Sequence, residues 1–395
     1  MKIAFIHTDF RLYWGARLQA FKQYLEARGH ELQVIEIADA GSHYAFSKED
    51  HTESSYWHVL FPGAKPEELS GKVIQPRLFA LLEDLHPDVI IAGAIAFPSG
   101  ALSVAWGQKK NVPVVIFDDA RIEAVMRSKL VTRIKQGVYR GVSAMFYPAP
   151  AWKETGAYWG FQEQQLFYGV DVVDNAFWSQ PRPSSGLSGN FIVGVGRQIE
   201  LKNFLAIVKA YGLYYKEVGE EAYDLILIGE GPQHQAIEKE IASLKLGHKV
   251  KLLSFKKPDE LAAFYQQAQL TVLASIHETW GLVLNEAMAA GCPVAVSRQC
   301  GAASTLVQPG ITGYHFDCHD GEEQARCLIT HHRLSASEKQ KMRSQAQQMM
   351  KQWDLTRFCQ GALGAAEYAL RHPVKVPIGL DRLIIQFWKG RYNPI

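Results

Sequence analysis

Two carboxylates eight positions apart, Glu278 and Glu286, bracket the stretch of this chain best suited to chemistry. Before them, Leu270 to Ala274 is apolar and β-branched, the pattern of a buried parallel strand. After them an apolar helix runs to Gly291, and Pro293 to Val296 resumes strand character. Polar groups therefore crowd at a helix start. The first N–H groups of a helix have no partner inside it, and its dipole adds partial positive charge there. An anion can sit on such a point. Glu286 lies about two turns beyond Glu278, so both can project from one face. Carboxylates placed there would accept hydrogen bonds from sugar hydroxyls near a phosphate. Two glutamates that cap the helix or face solvent give the same spacing.

Other residue groups sit where ligands bind in open α/β sheets, at the carboxyl ends of predicted strands. Gly196-Arg197-Gln198-Ile199-Glu200-Leu201-Lys202-Asn203 follows the strand Phe191 to Gly196. Arg197 and Lys202, placed after a strand and a glycine, suit a phosphate; as isolated residues they would be surface charges. Gly229-Glu230-Gly231-Pro232 follows the strand Tyr223 to Ile228, and its glycines allow a nucleotide to pack closely or form an ordinary turn. Gly15 follows the first strand, Lys2 to His7, where it admits a phosphate to the backbone or simply makes a turn. Asp118-Asp119 ends the strand Val112 to Phe117. One of the two, Asp119 in our assignment, orients an acceptor hydroxyl; the alternative is an N-cap for the next helix.

The string Glu278-x7-Glu286, with Trp280-Gly281 inside it and Glu-Ala-Met-Ala-Ala-Gly-x-Pro-Val closing it, resembles the signature of glycosyltransferase family 4. That resemblance implies the GT-B fold: two doubly wound, Rossmann-like α/β domains facing a cleft, with a C-terminal helix crossing back to the first domain. It implies a nucleotide-diphosphate sugar donor, such as a UDP- or GDP-sugar, and retention at the anomeric carbon. By the same resemblance Glu278 touches donor sugar hydroxyls and Glu286 holds the ribose. The backbone of Trp280, Gly281 and Leu282 approaches the sugar and diphosphate. The Gly196-Arg197…Lys202 segment resembles the family element that grips the donor diphosphate, whose growing charge such cations would stabilise as the glycosidic bond breaks. Phe255-Lys256 lies where the family holds the base, Gly229 near the nucleotide, and Gly15 in a loop facing the diphosphate. Trp14-Gly15 replaces the usual paired glycine there, and a histidine often found near Asp118 is absent. Tyr168-Gly169-Val170-Asp171 resembles the family's Asn-Gly-Val-Asp segment. No Asp-x-Asp metal motif occurs, which fits a metal-independent transfer without cofactor.

These groups need two domains to carry them, and 395 residues exceed one comfortable core. The linker is read at 179 to 189, rich in Pro, Ser and Gly. The expected domains are 1–178 on the acceptor side, 190–372 on the donor side, and a returning helix within 373–395. An apolar fraction of 47% is that of an ordinary globular protein, and a net charge of +2 implies no nucleic-acid partner. Five cysteines without a C-x-x-C pair argue for reduced thiols and against zinc. The chain enters a strand at once and holds no run long enough to span a membrane, so a cytoplasmic protein is expected.

Three segments fall outside the donor motifs. Residues 40 to 66 read as an irregular, aromatic loop with Tyr44, Phe46, Tyr56, Trp57 and Phe61, either an acceptor-binding loop or a surface excursion. Arg121 to Arg140 reads as a basic amphipathic helix that includes Val125, Met126 and Arg127. It rests on the inner membrane surface, meets a lipid-linked acceptor, or is a solvated face. The tail from Ile378 to Ile395, including Tyr392, packs on the first domain or touches membrane. The expected reaction is transfer of a sugar to a glycan or lipid-linked acceptor in polysaccharide, lipopolysaccharide or glycolipid assembly. The alternatives are a GT-B sugar-nucleotide epimerase or phosphorylase, or a catalytically silent GT-B binding subunit.

Overall fold

A computed structural model describes residues 1–40, 55–124, 128–187, 189–374 and 377–391. The expectations at Tyr44, Phe46, Val125, Met126, Arg127, Ser188, Tyr392 and Ile395 lie outside the described residues. The chain divides into two compact units, Met1–Val172 with Leu355–Ile395, and Val173–Asp354.

The first unit is built on seven strands: β1 Lys2–His7, β2 Glu31–Ala38, β3 Trp57–Phe61, β4 Val89–Ala92, β5 Val114–Phe117, β6 Ala144–Tyr147 and β7 Leu166–Tyr168. They pair in the order β3-β2-β1-β4-β5-β6-β7, all parallel. Strands such as Val-Ile-Ile-Ala and Val-Val-Ile-Phe are buried on both faces, as continuous apolar runs require. β3 lies inside the segment read as irregular. It was hidden because it is a half-buried edge strand whose first two side chains meet polar partners: the Trp57 indole donates to Glu36 Oε2 at 3.1 Å, and His58 Nε2 lies 2.7 Å from Gln33 Oε1.

The second unit carries β8 Phe191–Val195, β9 Asp224–Ile228, β10 Val250–Leu253, β11 Leu270–Leu273, β12 Val294–Ser297 and β13 Gly313–Phe316. Their order is β10-β9-β8-β11-β12-β13, again parallel throughout. Helices cover both sheets, so each unit is a doubly wound α/β layer structure.

The unit boundaries depart from the sequence reading. The Pro/Ser/Gly segment is bound to the second unit rather than linking the two. Arg182 Nη1 pairs with Asp259 at 2.6 Å, its backbone N–H donates to Gln266, and the Ser185 hydroxyl donates to Gln267. The helix Leu355–Arg371, expected to close the second domain, belongs to the first unit instead. Phe358 sits among Phe5, Phe21 and Phe146, and Ala362, Ala365 and Ala366 are fully buried. Small side chains let this helix lie close: a Cβ on Gly361 would fall 2.3 Å from the Tyr168 carbonyl oxygen. The expected basic helix over 121–140 is shorter. Ile122–Ala124 forms a 3-10 turn, and the helix proper is Lys129–Tyr139, capped by the Ser128 hydroxyl accepting from the Val131 N–H.

Candidate functional site

In the second unit the chain moves from β8 to β9 on one side, while β11 lies on the other. Open parallel sheets bind ligands beyond the carboxyl ends of their strands at such a reversal. Two loops leave the sheet there, residues 196–203 after β8 and 274–281 after β11. The Ile276 N–H donates to the Leu201 carbonyl at 2.9 Å and holds one loop to the other.

That contact brings together two residues far apart in sequence. Lys202 Nζ donates to Glu278 Oε2, and the Ser275 hydroxyl donates to the same oxygen at 3.2 Å. The two side chains are 18% and 17% exposed, enough shelter to strengthen the pair and enough access to change its partners. Lys202 ends a 3-10 turn over Glu200–Lys202. Asn203 then takes a left-handed φ of 55°, which asparagine tolerates, and opens the helix Phe204–Val218. Arg197 is half-buried on the same loop.

Gln198 fixes this loop. It is fully buried. Its backbone N–H donates to the Glu230 carbonyl at 2.8 Å, and its carbonyl accepts from the Gln233 N–H at 2.9 Å. Its side-chain amide donates to the Gly229 carbonyl at 2.7 Å, and Oε1 lies 2.8 Å from His234 Nδ1. The sequence reading quoted Gln198 without giving it a role. A polar residue beside a cation after a strand was the available signal. Gly229 and Gly231 serve the same contact. Gly229 has φ 135°, and a Cβ there would lie 2.0 Å from the Gly196 carbonyl oxygen; on Gly231 it would lie 2.5 Å from that of Gln198. The close approach these glycines permit is that of one loop to the other.

Gly281 is the N-cap of the helix Leu282–Ala289, with φ 100° and Cys300 Sγ 2.6 Å from where a Cβ would stand. Leu282, half-buried, begins the first turn. Trp280 is 2% exposed, its indole donates to Asn285 at 2.9 Å, and its carbonyl accepts from the Ala302 N–H and the Cys300 thiol. Glu286 and Glu278 do not share one exposed face. Glu286 is 3% exposed and accepts from the Tyr265 hydroxyl at 2.8 Å. The helix begins only at Leu282, so Glu286 falls on its buried stripe while Glu278 stays in the loop. Phe255 is exposed beyond β10, its N–H 3.4 Å from Glu230 Oε1, and Lys256 pairs with Glu260 at 3.4 Å.

The first unit holds the remaining candidates. Gly15 is the second residue of the helix Trp14–Glu26, not part of a loop. Asp118 Oδ1 accepts from the Ala120 N–H at 2.9 Å in a local turn, and the Asp119 carbonyl accepts from the Trp152 indole at 3.0 Å. The sequence reading missed the most buried cation here. Arg17, 2% exposed, donates from Nε to the Val172 carbonyl at 2.9 Å and lies 3.6 Å from Asp171. Burial pushes the Asp171 carboxyl up to about 7, against the opposing pull of Arg17. Burial, and then Arg17, lowers His7 to about 4. The signal for Arg17 was a cation on the apolar stripe of Leu18, Phe21 and Leu25.

Residues 180–349 match the model of the family Glycosyl transferases group 1. The matched stretch contains Arg197, Lys202, Glu278 and Glu286. Among curated relatives, the chain is 32% identical over 136 residues to the poly(glycerol-phosphate) alpha-glucosyltransferase of Bacillus subtilis (strain 168), covering 34% of this chain and 20% of that protein. It is 33% identical over 135 residues to the alpha-monoglucosyldiacylglycerol synthase of Acholeplasma laidlawii, covering 34% and 33%. The chain thus spans a fifth to a third of the length of these two relatives. Among solved structures, Anabaena HepE in complex with UDP aligns with a TM-score of 0.72 at 19% identity, over 92% of this chain and 98% of that one. HepE in complex with UDP-glucose aligns at 0.68 and 20%, over 91% and 97%. At these identities the likeness shows the fold, which is that of the GT-B glycosyltransferases.

Proposed function

We propose that this chain is a retaining glycosyltransferase of family 4. It moves a sugar from a UDP-type nucleotide-diphosphate donor to an acceptor hydroxyl without a metal ion. The observation that carries the reading is the Lys202–Glu278 pair at the reversal point of the second sheet, inside the stretch that matches the group 1 family. Without ligand the pair neutralises itself. When a diphosphate arrives, Lys202 turns to the phosphate oxygens, joined by Arg197. That exchange frees Glu278 to accept hydrogen bonds from the sugar hydroxyls. Glu286, buried against Tyr265 in the free chain, is assigned the ribose by its place in the Glu-x7-Glu signature, and the Leu282 backbone at the helix start is assigned the diphosphate.

The reaction follows from these positions. The bond between the anomeric carbon and phosphate oxygen breaks, and its electron pair goes to the phosphate. Arg197 and Lys202 stabilise the charge that develops there. The departing oxygen accepts the proton of the acceptor hydroxyl on the same face as the new bond forms. The products are a nucleoside diphosphate and a glycoside with unchanged anomeric configuration. Polymeric and lipid acceptors are both proposed, since the curated relatives include a glucosyltransferase named for poly(glycerol-phosphate) and a synthase named for a glucosyl-diacylglycerol.

The test is thermal unfolding with UDP, GDP and ADP, for the chain and for Glu286→Ala. A ligand that binds only the folded state, at a hundred times its dissociation constant, adds about 2.7 kcal/mol. The expected result is a shift with UDP that the variant loses. No shift with any nucleotide would overturn the donor assignment.

A further inference from the structure

Among the described residues the four most exposed large apolar side chains are Ile378, Phe387, Leu130 and Leu380, at 86%, 71%, 70% and 61%. All four belong to two helices of the first unit or their edges: Lys129–Tyr139, and the terminal helix Leu380–Phe387 with the residues before it. Leu383, at 51%, adds to them.

The terminal helix is held firmly, so this exposure is built rather than left by a loose end. Asp381 accepts from Arg140 and, at 3.1 Å, from Arg133. Ile385 is 4% exposed, and its methyl group stands 3.0 Å from where a Cβ on Gly141 would be. Ile384 packs in the same way on Gly137. Beyond the helix, the Trp388 indole donates to the Ile95 carbonyl at 2.7 Å, and Lys389 bonds Gln75. These contacts account for one face of the helix. They leave Leu380, Leu383 and Phe387, spaced three and four residues apart, along the other face. Asp381 meets Arg133, Ile384 meets Gly137 and Ile385 meets Gly141, so the two helices run alongside in the same direction. That course carries Ile378 and Leu380 toward the Leu130 end.

The charge around this stripe has one sign. Segments 128–140 and 377–391 contain seven Lys or Arg residues and one carboxylate, Asp381, which two arginines already occupy. Lys129, Arg382 and Arg391 are exposed. A stripe of Leu, Ile and Phe beside such cations fits a surface that is apolar within and anionic at its rim. A folded protein partner would present fixed carboxylates in register, whereas the cations here are scattered along two helices and a tail.

We propose that this face docks the first unit onto an anionic lipid bilayer. Leu380, Leu383, Phe387 and Ile378 enter the interface, and Lys129, Arg382 and Arg391 meet lipid phosphates. The test is co-sedimentation of the full chain with vesicles of phosphatidylcholine alone, or of equimolar phosphatidylcholine and phosphatidylglycerol. Leu383→Asp/Phe387→Asp and Arg382→Glu are measured beside it. The expected result is binding to the anionic vesicles only, weakened about tenfold or more by the double variant and less by the single one. Because these side chains face outward, unfolding midpoints of all chains should agree, and UDP should shift them equally. Three outcomes would overturn the proposal: no sedimentation with anionic vesicles, sedimentation that the double variant does not alter, or a chain that self-associates through this face and loses that association in the double variant.

Discussion

The first strand of each unit ends in a different neighbourhood. After β1 the chain turns into the helix Trp14–Glu26 and places Arg17 and His7 among aromatic rings, with Asp171 beside Arg17. The Arg17 guanidinium lies 4.9 Å from the Trp14 ring, and His7 stacks edgewise on Phe117 at 5.0 Å. After β8 the chain instead runs through Gly196, Arg197 and Gln198 and leaves an ion pair of Lys202 and Glu278 partly open to solvent. Both edges carry charge. In the first unit burial sets its state, raising Asp171 and lowering His7. In the second, a loop-to-loop hydrogen bond holds the Lys202–Glu278 pair at 18% and 17% exposure. Each parallel sheet thus offers one such edge, and the residues near its first strand decide whether the charges there lie against aromatic rings or pair across two loops.

The largest effect that separates the two units should come from glycine. Gly229→Ala places a Cβ 2.0 Å from a carbonyl oxygen at φ 135°. We expect a loss of about 4 kcal/mol in stability. In the first unit, Gly160→Ala at φ 96° meets nothing within 4 Å, and about 1 kcal/mol is expected. Urea denaturation of both variants makes the measurement. Equal losses would show that the loop contact in the second unit carries no special constraint.

Acid should act on both units. His331 in the second unit, 1% exposed, is lowered from 6.5 to about 4 by burial first and then by Lys339; His7 in the first is lowered as far. Below about 6.5 the unfolded chain binds protons that the folded chain refuses. The stability tied to these histidines is therefore complete at neutral pH and is lost as pH falls from 6.5 toward 4; in the first unit Asp171, raised to about 7, gains over the same range and opposes the loss from His7. For His331 the full loss is about 3 kcal/mol. His331→Asn shifts the whole curve through the changed packing, but it should flatten this acid limb. Denaturation at about pH 7 and about pH 5 decides the matter, and an unchanged slope would remove His331 from the acid response.

The smallest of the three effects concerns chemistry rather than folding. Arg197→Ala should cut turnover about a hundredfold, close to 2.7 kcal/mol, because charge stabilisation on the leaving diphosphate is lost. Its stability should stay near that of the parent chain. UDP release from a UDP-sugar in the presence of acceptor gives the rate. Unchanged turnover would show that the edge of the second unit is no more catalytic than that of the first.

Much of the second unit was legible in sequence because its signals are local. Leu-Thr-Val-Leu and Val-Ala-Val-Ser read as buried strands, and Gly281 and Gly291 mark the ends of the helix between them. The position of Arg197 and Lys202 after a strand and glycine was equally local. The first unit was harder to read. β3 is aromatic and half-buried, β7 has three residues, and the usual paired glycine after β1 is absent.

By itself the sequence determined the alternation of strand and helix, and with it two parallel sheets, because hydrophobic period and turn residues act over a few positions. It also determined which cations and carboxylates stand at strand ends. Only the tertiary structure decided which of them meet. Lys202 and Glu278 are 76 positions apart and touch because β8 and β11 are neighbours. Glu286 turned inward because Tyr265 was there to receive it. The helix Leu355–Arg371 joined the first unit because its small residues fit against β7 and the aromatic core. Such choices depend on which surfaces are complementary in space, and no local pattern of residues records that.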